Sequence, residues 1–189
     1  NNVLVFLHGG VSNPVFDDTS DIPKPNYLIE DNSSFITSAI ARGFDLLLPV
    51  TDDRLDWLNN HEYCFEVFKD YLETKKYSSI YISGFSDGGT GSYKIFYDHK
   101  EYFNGLVVFN GYPQHQNFQL RVDHNNVENA RIAFFSTYND PVIPYEFLLI
   151  EYCKQKNQHA NTYLHISEGG HAFRDYQQAE IDVCFNILT

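Results

Sequence analysis

A chain of 189 residues with 43% hydrophobic and 20% charged side chains has the apolar material for one soluble domain with a sizeable core. Its formal net charge of −12 argues against nucleic acid or an anionic membrane as partner, because both need a basic surface. No apolar run approaches the ~20 residues of a membrane span, and three cysteines without metal-type spacing point away from a disulfide framework.

The first apolar run, Val3-Leu4-Val5-Phe6-Leu7, is rich in β-formers and suits a strand buried on both faces; it ends in His8-Gly9-Gly10. No basic region precedes it, so it does not read as a signal peptide, and the expected location is cytoplasmic. The chain carries no methionine, which leaves a removed targeting segment open. After a polar loop with Pro14, Pro23 and Pro25, a helix is predicted from about Ser33, with Phe35, Ile36, Ala39 and Ile40 on one face and Gly43 ending it. Residues 44–50 form the second strand, closed by the acidic turn Thr51-Asp52-Asp53. Cys64, Phe65, Phe68, Tyr71 and Leu72 then have helical spacing over about residues 60–76.

The third strand, residues 77–83, leads into Gly84-Phe85-Ser86-Asp87-Gly88-Gly89, and a helix follows to about Lys100. A strand that runs into Gly-x-Ser-x-Gly and then a helix describes a nucleophile elbow, a turn so sharp that the residues flanking the serine must lack bulk. By itself the five-residue pattern also suits an ordinary strand–turn–helix with an incidental serine.

Residues 105–110 form the fourth strand. The polar, aperiodic stretch 111–129 reads as a functional loop or small lid. Residues 131–136 form the fifth strand, ending at Thr137-Tyr138-Asn139-Asp140-Pro141, and Pro144 suits the first turn of a helix. Tyr145, Leu148, Leu149, Tyr152 and Cys153 supply that helix's predicted buried stripe; Cys64 and Cys153 thus read as small hydrophobes. The sixth strand, residues 162–167, is followed by Glu168-Gly169-Gly170-His171, and a last helix carries Ile181, Phe185 and Leu188. This alternation predicts an α/β domain over residues 1–189: a doubly wound, mostly parallel six-stranded sheet with helices on both faces. The chemically able residues all follow carboxyl ends of strands, where open α/β sheets bind ligands.

The motifs His8-Gly9-Gly10, Gly84 to Gly89, Asn139-Asp140-Pro141-Val142-Ile143-Pro144 and Gly170-His171, in that order, resemble the α/β-hydrolase superfamily. Within it the chain looks most like the small phospholipase/carboxylesterase and dienelactone-hydrolase-like group, from about residue 3 to the end. The resemblance implies the sheet order 2-1-3-4-5-6. Two strands that usually precede the opening strand are missing, so this is a minimal version or a fragment.

The resemblance also implies roles. Ser86 is the nucleophile, His171 its general base, and Asp140 the carboxylate that orients the imidazole. Asp140 equally suits a plain turn before Pro141. The backbone N–H groups of Asp87 and Gly10, with Val11 as the fallback, form the oxyanion hole. A carboxylate at Asp87 opposes the developing charge unless it points away or is paired. Val11, Trp57 and Tyr112 are expected to line the substrate pocket, although Trp57 equally suits a core anchor. His8 is expected to organise its loop.

The implied activity is a serine hydrolase without cofactor or metal, a carboxylesterase acting through an acyl-enzyme on small or medium soluble acyl esters. A peptidase or dienelactone-type hydrolase on the same triad and a catalytically silent binding protein are the alternatives, and the oligomeric state stays open. His61, His99, His115, His124, His159 and His165 show no ligand spacing.

Overall fold

The computed structural model describes residues 1–9, 33–50, 57–111, 114–115, 118–119, 123, 125, 127, 129–158 and 161–189. Within them the six apolar runs become six parallel strands: β1 (Asn2–Leu7), β2 (Phe44–Leu47), β3 (Ser79–Phe85), β4 (Gly105–Phe109), β5 (Arg131–Thr137) and β6 (Thr162–Ser167). They form one open sheet in the order β2-β1-β3-β4-β5-β6, as the resemblance implies. Direction of winding reverses between β1 and β3, where Leu7 pairs with Gly84. The loops leaving these two strands therefore part at the sheet's rim and open a crevice.

Successive side chains of a strand point to opposite faces, so a strand covered on both sides must be apolar throughout. In β1, Val3, Val5 and Leu7 enter one core while Leu4 and Phe6 enter the other. The first core is closed by α2 (His61–Lys75), α3 (Asp87–Asp98) and α4 (Tyr145–Lys156), through Phe65, Phe68, Tyr93, Phe96 and Leu148. The second is closed by α1 (Ser33–Ala41) and α5 (Gln178–Leu188) and is strongly aromatic: Phe6, Phe35, Phe109, Phe173 and Phe185 meet there.

Three local expectations are corrected. β2 stops at Leu47, short of residue 50. In α1 the buried face is Phe35, Ser38 and Ala39, and Ile40 is 64% exposed. Ser38 is turned inward because α5 offers it partners: Gln178 Nε2 donates to Ser38 Oγ at 2.6 Å, and Ser38 donates to Asp182 at 3.2 Å. In α4 the buried residues are Leu148, Glu151 and Gln155, while Tyr145, Leu149 and Tyr152 are half-buried and Cys153 is exposed. Glu151 Oε1 accepts the Tyr93 hydroxyl at 2.5 Å and Gln155 Nε2 at 2.9 Å, so the carboxylate is hydrogen-bonded inside the core. A stripe drawn from apolar residues alone does not see such a pair. Pro144 stands at the N-cap of α4, one position before the helix.

In the stretch 111–129, Gln114–His115 and Phe118–Gln119 pair as two short antiparallel strands. Among the described residues no helix is long and apolar enough to cross a membrane.

Candidate active site

The turn from β3 into α3 is shaped by what cannot fit there. A Cβ on Gly84 would lie 2.2 Å from the Gly88 carbonyl oxygen, and one on Gly88 would lie 2.1 Å from that of Leu7. The first turn of α3 thus packs directly on the backbone of β1, and glycine is the residue that permits it. Ser86, at the apex, is held at φ 56°, ψ −117°, a backbone state that costs energy for a residue with a Cβ. Two backbone bonds of 2.9 Å hold it, Ser86 N–H to Phe109 O and Thr90 N–H to Ser86 O.

Ser86 Oγ lies 2.8 Å from His171 Nε2, and His171 Nδ1 lies 2.7 Å from Asp140 Oδ2. With the proton on Nδ1 donated to the carboxylate, Nε2 is the acceptor facing the serine hydroxyl. The imidazole is half-buried and tilts against the ring of Phe85, 5.1 Å away. Asp140 is buried and fully engaged: Oδ1 accepts the backbone N–H groups of Val142 and Ile143 at 2.8 Å each, and Oδ2 also accepts Asn110 Nδ2 at 2.7 Å. Burial pushes its carboxyl upward, but the hydrogen bonds from His171, Ile143, Val142 and Asn110 prevail and hold it below the usual carboxylate value.

Asp87 opens α3, and its carboxylate accepts the backbone N–H of Trp57 at 3.1 Å, so its side chain is paired and directed toward Trp57. Trp57 is 1% exposed, and its indole N–H donates to the His8 carbonyl at 2.9 Å. It acts as a strut between the loop after β1 and the elbow, a core position rather than an open pocket wall. His8 is also buried; burial lowers the pKa of its ring, against a 2.6 Å hydrogen bond to Gly9 O that raises it. Gly10, Val11 and Tyr112 lie outside the described residues.

Asn110, Thr137 and Tyr176 were not singled out by the sequence reading, yet Asn110 holds Asp140 and is itself held by Thr137 and Tyr176. One signal was available: Asn110-Gly111 follows the carboxyl end of β4, the same rim position as the other candidates. Elsewhere, His61, Glu62 and Asp98 converge within 4.8 Å, and His99 reaches Glu62 at 3.2 Å. Lys94 already supplies a cation there through its hydrogen bond to Asp98, which makes the cluster an ion-pair network of α2 and α3.

No family model matches the sequence, and no curated protein matches it. Solved structures do. The esterase Pf2001 of Pyrococcus furiosus superposes with a TM-score of 0.74 at 11% identity, over 99% of this chain and 82% of that one. A fluorophosphonate-binding serine hydrolase of Staphylococcus aureus, FphF, gives 0.69 at 15% identity over 99% and 83%. A protein assigned to the alpha/beta hydrolase superfamily from Xanthomonas campestris pv. campestris gives 0.63 at 12% identity over 97% and 98%. These likenesses, with the sheet order and the strand–serine–helix turn, establish that the chain has the α/β-hydrolase fold.

Proposed function

We propose that this protein is a serine hydrolase, a carboxylesterase that cleaves small or medium soluble acyl esters through Ser86, His171 and Asp140. The observation that carries the reading is the unbroken chain Asp140–His171–Ser86, at 2.7 and 2.8 Å, standing on a strained turn at the rim of the sheet. A serine hydroxyl is a weak nucleophile until a base takes its proton. In the reaction, His171 Nε2 accepts that proton as Oγ attacks the ester carbonyl carbon. The resulting imidazolium is stabilised by the Asp140 carboxylate.

The tetrahedral oxyanion is met by the backbone N–H of Asp87, at the positive end of α3, and by that of Gly10, the position matching the superfamily's second donor. The Asp87 carboxylate is bonded to Trp57 N–H, which favours this role by taking its charge away from the oxyanion. Collapse of the intermediate expels the alcohol, which takes the proton from His171, and leaves an acyl-Ser86 ester. Water then attacks that ester as His171 removes its proton. The second collapse releases the acid and restores Ser86. The scheme draws on no cofactor.

The names borne by two of the structural neighbours, an esterase and a serine hydrolase, favour ester cleavage over a silent binding role. Preference for short acyl chains is supported by the polar sequence of residues 111–129, where Tyr112, Phe118, Leu120, Val122 and Val127 are outnumbered by polar residues such as Gln114, Gln116, Asn117, Arg121 and Asp123. An interfacial lipase needs a broad apolar surface. The test is fluorophosphonate labelling of the wild type and Ser86→Ala, followed by kcat/KM on p-nitrophenyl esters from acetate to palmitate beside a peptide amide. Labelling of the wild type alone and a preference for short esters are expected. Labelling that survives in Ser86→Ala overturns the nucleophile; preference for palmitate or the amide overturns the substrate class.

A further inference from the structure

Behind the acid lies a buried amide that the reaction scheme does not use. Asn110 has no exposed surface and holds φ 43°, in the left-handed region. Such a conformation persists where the surroundings over-determine it, and here hydrogen bonds do so. The Thr137 hydroxyl donates its single proton to the Gly170 carbonyl at 2.7 Å. Its 3.0 Å contact with Asn110 therefore needs a donor on the Asn side, which assigns Nδ2 to that position. The second N–H of the amide then meets Asp140 Oδ2 at 2.7 Å, and Oδ1 accepts the Tyr176 hydroxyl. A flipped amide would set its oxygen against the carboxylate. The orientation thus follows from counting protons.

We propose that Asn110 is a positioning residue that locks Asp140 Oδ2 onto His171 Nδ1; the inference rests on the triad proposed above. Asp140 Oδ1 is pinned by the N–H groups of Val142 and Ile143, so the carboxylate is left to swing about that anchor. It is Oδ2 that would move, and Asn110 holds it. A donor on this oxygen also favours the ionised acid, so Asp140 orients the imidazolium without taking its proton.

Through Thr137 the same amide is tied to the carbonyl of Gly170, the residue before His171. Both halves of the acid–base pair are therefore referenced to one buried side chain. The titratable groups around it are Asp140 and Tyr176 in direct contact, then His171, and Asp175, which accepts the Gly170 N–H at 2.9 Å. Burial, with the nearby Glu180, Asp140 and Asp175, pushes the Tyr176 phenol well above its ordinary value and keeps it a donor.

The test uses Asn110→Gly, which tolerates the left-handed backbone, and Tyr176→Phe, which keeps the ring and removes the hydroxyl. The measurements are kcat and KM on p-nitrophenyl acetate, Tm, and the low-field proton NMR resonance of His171 Nδ1–H. Asn110→Gly is expected to lose kcat on the order of 10²-fold, as a misplaced catalytic group does. Its KM should stay within about twofold, and its Nδ1–H resonance should broaden or vanish. Tyr176→Phe should show the same pattern at roughly a tenth of that kcat loss, and it carries the test if the glycine variant does not fold. An unchanged resonance with unchanged kcat in these variants overturns the proposal. So does a kcat loss that merely follows Tm while the resonance persists. A wild type that hydrolyses no ester refutes the esterase reading, and the resonance still decides the role of Asn110.

Discussion

Two parts of the sheet's rim bring their chemistry to one point by opposite means. The elbow after β3 is held by steric closeness: Gly84 and Gly88 let α3 press on the backbone of β1, and Ser86 is left at φ 56°. The loops after β4, β5 and β6 are held by hydrogen bonds instead, with Asn110, Thr137, Asp140, Gly170 and Tyr176 in one buried network. The first arrangement tolerates no added atom and the second tolerates no lost donor or acceptor. Damage to each should therefore look different, in stability on one side and in turnover on the other.

The largest effect is expected on the hydrogen-bonded side. Asp140→Asn should cut kcat by about 10⁴-fold by stabilising the wrong imidazole tautomer. Ester assays of the purified variant check this, and a loss of less than tenfold would remove Asp140 from the proposed triad. On the steric side, Gly88→Ala should destabilise the fold by about 3 kcal/mol, because the new methyl lands on the carbonyl oxygens of Leu7 and His8, at 2.1 and 2.4 Å. Urea unfolding measures it; wild-type stability in that variant would show that the elbow has slack.

A smaller effect follows from pH. Asp140's folded pKa is depressed below its ordinary 3.8 because hydrogen bonds from His171, Ile143, Val142 and Asn110 outweigh the upward push of burial. A depressed carboxyl contributes stability above its unfolded pKa and loses it as pH falls through the folded one. The stability gap between wild type and Asp140→Asn should accordingly narrow as pH drops below 3.8. A gap that widens toward acid would mean that burial dominates. The smallest effect is expected at Asp87→Asn, whose side-chain oxygen still accepts the Trp57 N–H. Its kcat/KM should stay within about threefold of wild type. A large loss would give that carboxylate a chemical role and erase the contrast with Asp140.

What the sequence by itself determined was local. Unbroken apolar runs such as residues 3–7 mark strands covered on both faces, and β1 does divide its side chains between two cores. The Gly-x-Ser-x-Gly spacing marks a tight turn within five residues of chain, where a Cβ on Gly84 would meet the Gly88 carbonyl; that Gly88 also lies against β1 was decided by the tertiary fold. The resemblance carried the sheet order and named Ser86, Asp140 and His171, which stand in hydrogen-bond contact.

Tertiary structure decided which polar groups go inside. Ser38 replaces Ile40 on the buried face of α1 because Gln178 and Asp182 sit opposite, and Glu151 is buried in α4 because Tyr93 reaches it from α3. Cys153 is left outside as a consequence of that same rotation of the helix. The pairing of Asp87 with Trp57 and of Asn110 with Asp140 joins residues about thirty positions apart. Burial of a polar side chain depends on whether a partner is waiting, and the partner is supplied by another element of the fold.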